Sequence, residues 1–201
     1  MLDAATAAKI AERLPSATGK ARRADGERNA RRLIVAAQEV LDDLGVDANS
    51  HEIARRAGVG VGTFYRQVGS LPDLLTAILT GMLDQIVEAG REGLADTDPW
   101  RGFASFAATF VQLGSASCGV KDAIRGQKLL DLGPQVETIS TLIAQLVRRT
   151  QEAGVVRGDV GWGDVACILA SVVPPDQTLG EKNGADQWRR NLDIVLAGLR
   201  A

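Results

Sequence analysis

From Arg28 to the C-terminus the apolar residues recur at three- and four-residue steps, and nowhere do they alternate with polar ones as a half-buried strand requires. Such a chain buries its apolar side chains as stripes on helices packed against helices, which restricts it to an all-α architecture. The first stripe holds Leu33, Ala37, Val40, Leu41 and Leu44 and is stopped by Gly45. A long helix from Ser70 carries Leu75, Ile78, Leu79, Met82, Ile86 and Val87, and Pro99 starts one that bears Trp100, Phe103, Phe106 and Phe110. Lys121 to Leu130 reads as a further helix, and Pro134 to Ala153 shows Val136, Ile139, Ile143, Leu146 and Val147. Val165, Ile168, Leu169 and Val172 define a penultimate helix ended by Pro174 and Pro175, and Trp188, Leu192, Val195, Leu196 and Leu199 define the last.

Between the first stripe and the long helix the elements become short. Asn49 and Glu52 have the spacing of a capping box, so a helix starts there with Ile53, Ala54 and Ala57 inward and Arg55 and Arg56 outward, and Gly58 ends it. Gly60 caps the next helix, Val61 to Val68, before Gly69 breaks it and Ser70 with Asp73 caps the long one. Ahead of Arg28, Leu2 to Leu14 can form at most a frayed helix, and Pro15, Ser16 and a basic run after it read as a flexible arm. From Ala17 to Arg32 the six basic residues Lys20, Arg22, Arg23, Arg28, Arg31 and Arg32 face only Asp25 and Glu27, although the whole chain carries a net charge of −2. What matters for an anionic partner is this local excess, with Arg22 and Arg23 as candidates for the minor groove of DNA. The expected divisions are a basic arm over residues 1–27, a three-helix unit over 28–74 and a larger helical domain over 75–201.

Several chemistries are disfavoured. His51 is the only histidine, which removes most nucleophile–base pairs and metal sites. Cys118 and Cys167 lack metal-ligand spacing, so neither a catalytic residue, a metal site nor a cofactor is expected. No run reaches the roughly 20 apolar residues that span a bilayer, and no secretory signal opens the chain, so no membrane partner is expected and the cytoplasm is the expected location.

The informative stretch is NSHEIARRAGVGVGTFYRQVGSLPDLL, Asn49 to Leu75. A reader of the DNA groove needs two short helices at a fixed angle. Ala54, Ala57 and Gly58 allow a close crossing, and Ile53 and Phe64 anchor both helices to the first. Ser50, His51, Thr63, Tyr65, Arg66 and Gln67 remain for phosphates and base edges. GVGVG follows a helix, fails the GxGxxG spacing at Thr63 and lacks a P-loop lysine, so it is a turn and not a phosphate cradle. IARRAGVGVGTFYR followed by SLPDLL closely resembles the helix-turn-helix signature of the TetR family of transcriptional regulators. QEAGVVRGDVGWGDVACILASVV and WRRNLDIVLAGLR are similar to the last helices of actinobacterial members.

The resemblance places Val61, Gly62, Thr63, Tyr65 and Gln67 on the recognition helix, with Thr63 and Tyr65 on phosphates and Gln67 reaching towards bases. It places Ser50 and His51 at the contact positions opening the preceding helix. Gly60 departs from the family's usual capping serine, and Leu71 from its usual lysine. The fold implied is an N-terminal helix-turn-helix domain followed by a helical ligand-binding and dimerisation domain. The function implied is a homodimeric regulator, a repressor on a palindromic double-stranded operator that a small molecule releases. Dimerisation is expected through Val165, Ile168, Leu169, Val172, Leu192, Val195 and Leu199, whose apolar faces exceed the needs of one small domain. A largely apolar ligand is expected among Met82, Ile86, Trp100, Phe103, Phe106 and Phe110. The alternative is a small helical enzyme or ligand carrier in which the first three helices only pack.

Overall fold

A computed structural model describes residues 4–12, 14, 20–44, 47–116, 133–174, 177–184 and 186–201. They form α1 (Ala4–Ala11), α2 (Lys20–Leu44), α3 (Ser50–Ala57), α4 (Val61–Val68), α5 (Leu71–Ala95), α6 (Pro99–Ala116), α7 (Gly133–Glu152), α8 (Trp162–Ser171) and α9 (Gln187–Leu199). Two short strands, β1 (Gln177–Thr178) and β2 (Glu181–Lys182), lie between α8 and α9. The all-α expectation holds. The helix expected over Lys121 to Leu130 lies outside the described residues.

The contacts divide the chain into two units, the first holding Met1–Met82 and the second Leu83–Ser115 with Leu132–Ala201. In the first, α2 packs on α1, α3 and α4, and α3 packs on α4. Its core takes Leu33, Ile34, Ala37 and Val40 from α2, Ile53 and Ala54 from α3, Phe64 and Val68 from α4, and Leu74 and Ile78 from α5. α2 begins at Lys20, ahead of the Arg28 boundary expected for the end of a flexible arm. Lysine, alanine, arginine and glutamate fill seven of the nine positions from Lys20 to Arg28, against only Asp25 and Gly26 as weak helix formers, so propensity favours the extension. α1 buries Ala7, Ile10 and Ala11. Ile10 lies on bare α5 backbone, because a Cβ built on Gly81 would stand 2.3 Å from Ile10 Cγ1.

The second unit gathers Phe103, Phe106 and Val111 of α6, Ile143, Leu146 and Val147 of α7, Val165 and Leu169 of α8, and Leu192 and Leu199 of α9. α5 runs to Ala95, two turns beyond the expected Val87. Arg149 of α7 secures that end by donating to the carbonyl oxygens of Gly93 (3.1 Å), Leu94 (2.9 Å) and Asp96. A cation on the last carbonyls suits the negative end of the helix dipole. Arg101 of α6 makes a bidentate pair with Asp96 at 2.9 and 2.6 Å, and that hydrogen bonding holds the Asp96 carboxyl below the usual carboxylate range. The β1–β2 hairpin was not expected. It turns on Leu179 and Gly180, both at positive φ, with Gln177 opposite Lys182 and Thr178 opposite Glu181. Strands of two residues carry no periodicity to detect.

Candidate nucleic-acid interface

The Asn49 side chain accepts from the Glu52 amide at 3.0 Å and so caps α3. The reciprocal half of the expected capping box is replaced, because the Glu52 carboxylate accepts from Arg55 at 2.8 and 2.5 Å and from Arg56 at 3.4 Å. Those arginines, Arg55 first, hold the Glu52 carboxyl below its ordinary range. Arg56 also reaches Asp43 of α2 at 2.5 Å, which ties α3 to the helix beneath it. Gly58 ends α3 in the left-handed region at φ 64°, with the Val59 amide donating to Ala54 at 3.0 Å. Any side chain there is strained, and a Cβ would stand 2.8 Å from an Arg32 nitrogen, so glycine sets the turn between the two short helices.

Gly60 opens α4 with its carbonyl oxygen accepting from Thr63 at 2.8 Å and Phe64 at 3.1 Å, and no side chain caps it. Phe64, Gln67 and Val68 face inward. Opposite them, Gly62, Tyr65 and Arg66 are exposed and Val61 and Thr63 half-buried, with His51 exposed at the start of α3. These six residues form one outward surface on the helix pair.

Two of the expected DNA contacts stand elsewhere. Gln67, expected on bases, is 4% exposed and packs against α2, its amide 3.5 to 3.6 Å from where a Gly26 Cβ would be. It lies one position past the exposed face, so the helix turns it inward, and the absence of a side chain at Gly26 leaves room for it. Ser50 is also buried, and its hydroxyl shares a hydrogen bond of 2.9 Å with the Tyr65 hydroxyl. This bond bridges α3 and α4. Tyr65 itself is 48% exposed and packs edge-on against Phe64 with centroids 5.3 Å apart. A hydroxyl retains further hydrogen-bonding capacity after one such bond, so Tyr65 can still meet a phosphate. Arg22 and Arg23 fall on α2 and not on an irregular arm.

In the second unit the residues expected to dimerise need a similar correction. Val165, Leu169, Val172, Leu192 and Leu199 are buried within the single chain, and Ile168 and Val195 are half-buried. Their stripes serve the protomer's own core first. The apolar groups left outward on these helices are Trp162, 47% exposed, and Ile194, 64% exposed. Of the residues expected at a ligand site, Phe103 and Phe106 are fully buried, Ile86 is buried, and Trp100 and Phe110 are half-buried. Met82 belongs to the other unit. Trp100 takes the Arg200 guanidinium over its ring at 4.3 Å. A concavity of ≈ 420 Å³ lies instead along Ser140, Thr141, Ala144, Gln145, Arg148 and Trp162. On α7 those residues occupy the polar stripe, which sequence periodicity assigns to solvent.

Among the described residues no helix is long and apolar enough to cross a membrane. Residues 98–201, just over half the chain, match the family described as transcriptional regulator SbtR-like, C-terminal domain, of the TetR type. The fold is similar to the crystal structure of the TetR transcriptional regulator SCO0520 from Streptomyces coelicolor. The two are 28% identical with a TM-score of 0.63 over 84% of this chain and 97% of that one. A TetR regulatory protein from Mycobacterium vanbaalenii is likewise 28% identical, with a TM-score of 0.63 over 89% and 99%. The TetR family regulator PfmR from Thermus thermophilus shares the fold at 20% identity, TM-score 0.61, over 85% and 100%. The comparison with curated proteins gives no match. With its helix-turn-helix in place and its C-terminal half matched, the chain belongs to the TetR family of DNA-binding transcriptional regulators.

Proposed function

We propose that the protein is a repressor that binds a palindromic operator as a homodimer in the cytoplasm and is released by a small molecule. The observation that carries this reading is the outward surface of α3 and α4, where His51, Gly62, Tyr65 and Arg66 are exposed beside half-buried Val61 and Thr63. One helix of eight residues makes few contacts, so useful affinity needs two copies about 34 to 36 Å apart, one turn of DNA. Residues 28–74 serve as the DNA-binding domain and 75–201 as the domain for ligand and partner subunit. Dimerisation uses the outward apolar groups Trp162 and Ile194 with half-buried Ile168 and Val195, while the inward stripes hold the domain together. The ligand belongs to the α6 region, where Trp100, Phe103, Phe106 and Phe110 supply an aromatic wall. A regulator accounts for the exposed helix-turn-helix surface, which a small helical enzyme or carrier would leave without a use.

Selection from a random duplex pool, with sedimentation of the protein and its DNA complex, tests the reading. An enriched inverted repeat bound by two chains supports it. An enriched site without dyad symmetry, or a 1:1 complex on it, overturns the dimeric part, and an unenriched pool overturns the whole.

A further inference from the structure

On an α-helix, residues four apart lie along one line, and side chains lean towards the N-terminus. Arg66 therefore stands one turn beyond Gly62, and its guanidinium donates to the Thr63 hydroxyl at 3.3 Å, on the preceding turn. Nothing lies within 4 Å of where a Cβ would be on Gly60 or Gly62, so the first turn of α4 is bare backbone on its outward side. That bare turn lets the helix end approach base edges closely, and the N-terminal residues of a recognition helix are the ones that meet bases.

The other arginines on the helix pair are committed. Arg55 is held by Glu52, and Arg56 by Asp43 and Glu52. Among the described residues Arg66 has no carboxylate partner, and its one hydrogen bond is the long one to Thr63. Arg66 is exposed, and helix geometry sets it between Thr63 and Tyr65 on the outward face. Gln67, the other long polar side chain of α4, is turned into the core. A planar fork of donors with no acid to neutralise it matches the two acceptors that guanine presents in the major groove, O6 and N7.

We infer that Arg66 is the base-reading residue of this protein and selects a guanine in each operator half-site, with Gly62 providing the close approach. The inference rests on the DNA-binding reading above. Thr63 holds the guanidinium over the first turn before DNA arrives, so the fork is partly set in place when it meets the base.

The test measures affinities of wild type, Arg66→Ala and Arg66→Lys for the selected operator and for versions with each half-site base pair replaced in turn. Arg66 is exposed, so both variants should melt with the wild type. In the wild type, replacing one G·C pair should weaken binding about 5- to 150-fold. In Arg66→Ala that replacement should have no further effect while penalties at other positions persist, and Arg66→Lys should recover part of the preference. If Arg66→Ala weakens every sequence by one common factor and keeps the G·C penalty, Arg66 is a phosphate contact and the inference is wrong. If the wild type selects a site but no G·C position couples to Arg66, the inference fails while the DNA-binding reading stands. If the wild type selects no site, both fail.

Discussion

Gly26 and Gly81 both sit inside helices, and the structure predicts opposite outcomes when each becomes alanine. Alanine in a helix interior is favoured over glycine by about 0.5–1 kcal/mol. At Gly26 the new Cβ would meet the Gln67 amide at 3.5 Å, an ordinary contact, so Gly26→Ala should stabilise by about 0.5–1 kcal/mol. At Gly81 it would meet Ile10 Cγ1 at 2.3 Å and Cδ1 at 2.9 Å. Ile10 is fully buried and cannot swing clear, so α1 must shift. Overpacking of this kind costs about 1–3 kcal/mol, which exceeds the gain in propensity, so Gly81→Ala should be destabilising. Ile10→Ala alone should cost about 2–5 kcal/mol but removes the obstruction. In that background Gly81→Ala should therefore stabilise. Urea denaturation of the four chains, followed by far-ultraviolet circular dichroism, completes the cycle. If Gly81→Ala has the same sign with and without Ile10, α1 does not dock on α5 as described.

Other perturbations follow from individual contacts. Arg149→Met strips three carbonyls at the end of α5 of their donor and should cost about 2–3 kcal/mol in denaturant unfolding; an unchanged midpoint would remove Arg149 as a cap. Leu192→Asp buries an unpaired charge and should unfold the second unit, whereas Ile194→Asp should leave melting within about 0.5 kcal/mol of wild type and separate the subunits in sedimentation. A dimer that survives Ile194→Asp would show that this face is not the interface. Ser50→Ala and Tyr65→Phe remove opposite ends of one hydrogen bond, so each should cost about 1 kcal/mol and the double variant little more; additive losses would mean that the bond contributes nothing. The Asp96 carboxyl is depressed in the folded state by its hydrogen bonds from Arg101, so its contribution is present above the unfolded value of about 3.9 and is lost as pH falls through the folded value. Acid melting of Asp96→Asn should accordingly be less steep there than that of the wild type, and equal slopes would contradict the assignment.

Helix periodicity makes the fold class legible in the sequence, and small residues with glycine stops do the same for the helix-turn-helix. It also places Tyr65, Arg66, Thr63 and His51 on the outward face. Gln67 faces inward against the sequence expectation because adjacent positions on a helix differ by about 100°, and only packing decides which side of a boundary a residue takes. The Ser50–Tyr65 bond joins residues 15 apart and leaves no trace in local pattern. Val165, Leu169 and Leu192 have stripes that read identically whether they cover the protomer or a partner, since burial against self and burial against a copy use the same side chains. Over Leu2 to Leu14 the sequence supports no more than a frayed helix, because the buried set of α1 is small, mostly alanine, and its anchor Ile10 is matched by a missing side chain at Gly81.

The central claim is sequence-specific DNA binding through α3 and α4, and the direct measurement is the ratio of affinities for the selected operator and a scrambled duplex at physiological salt. The operator should be preferred about 10³-fold or more, with both affinities falling as salt rises because cationic contacts release counterions. Equal affinity for the two duplexes across the salt range would contradict it.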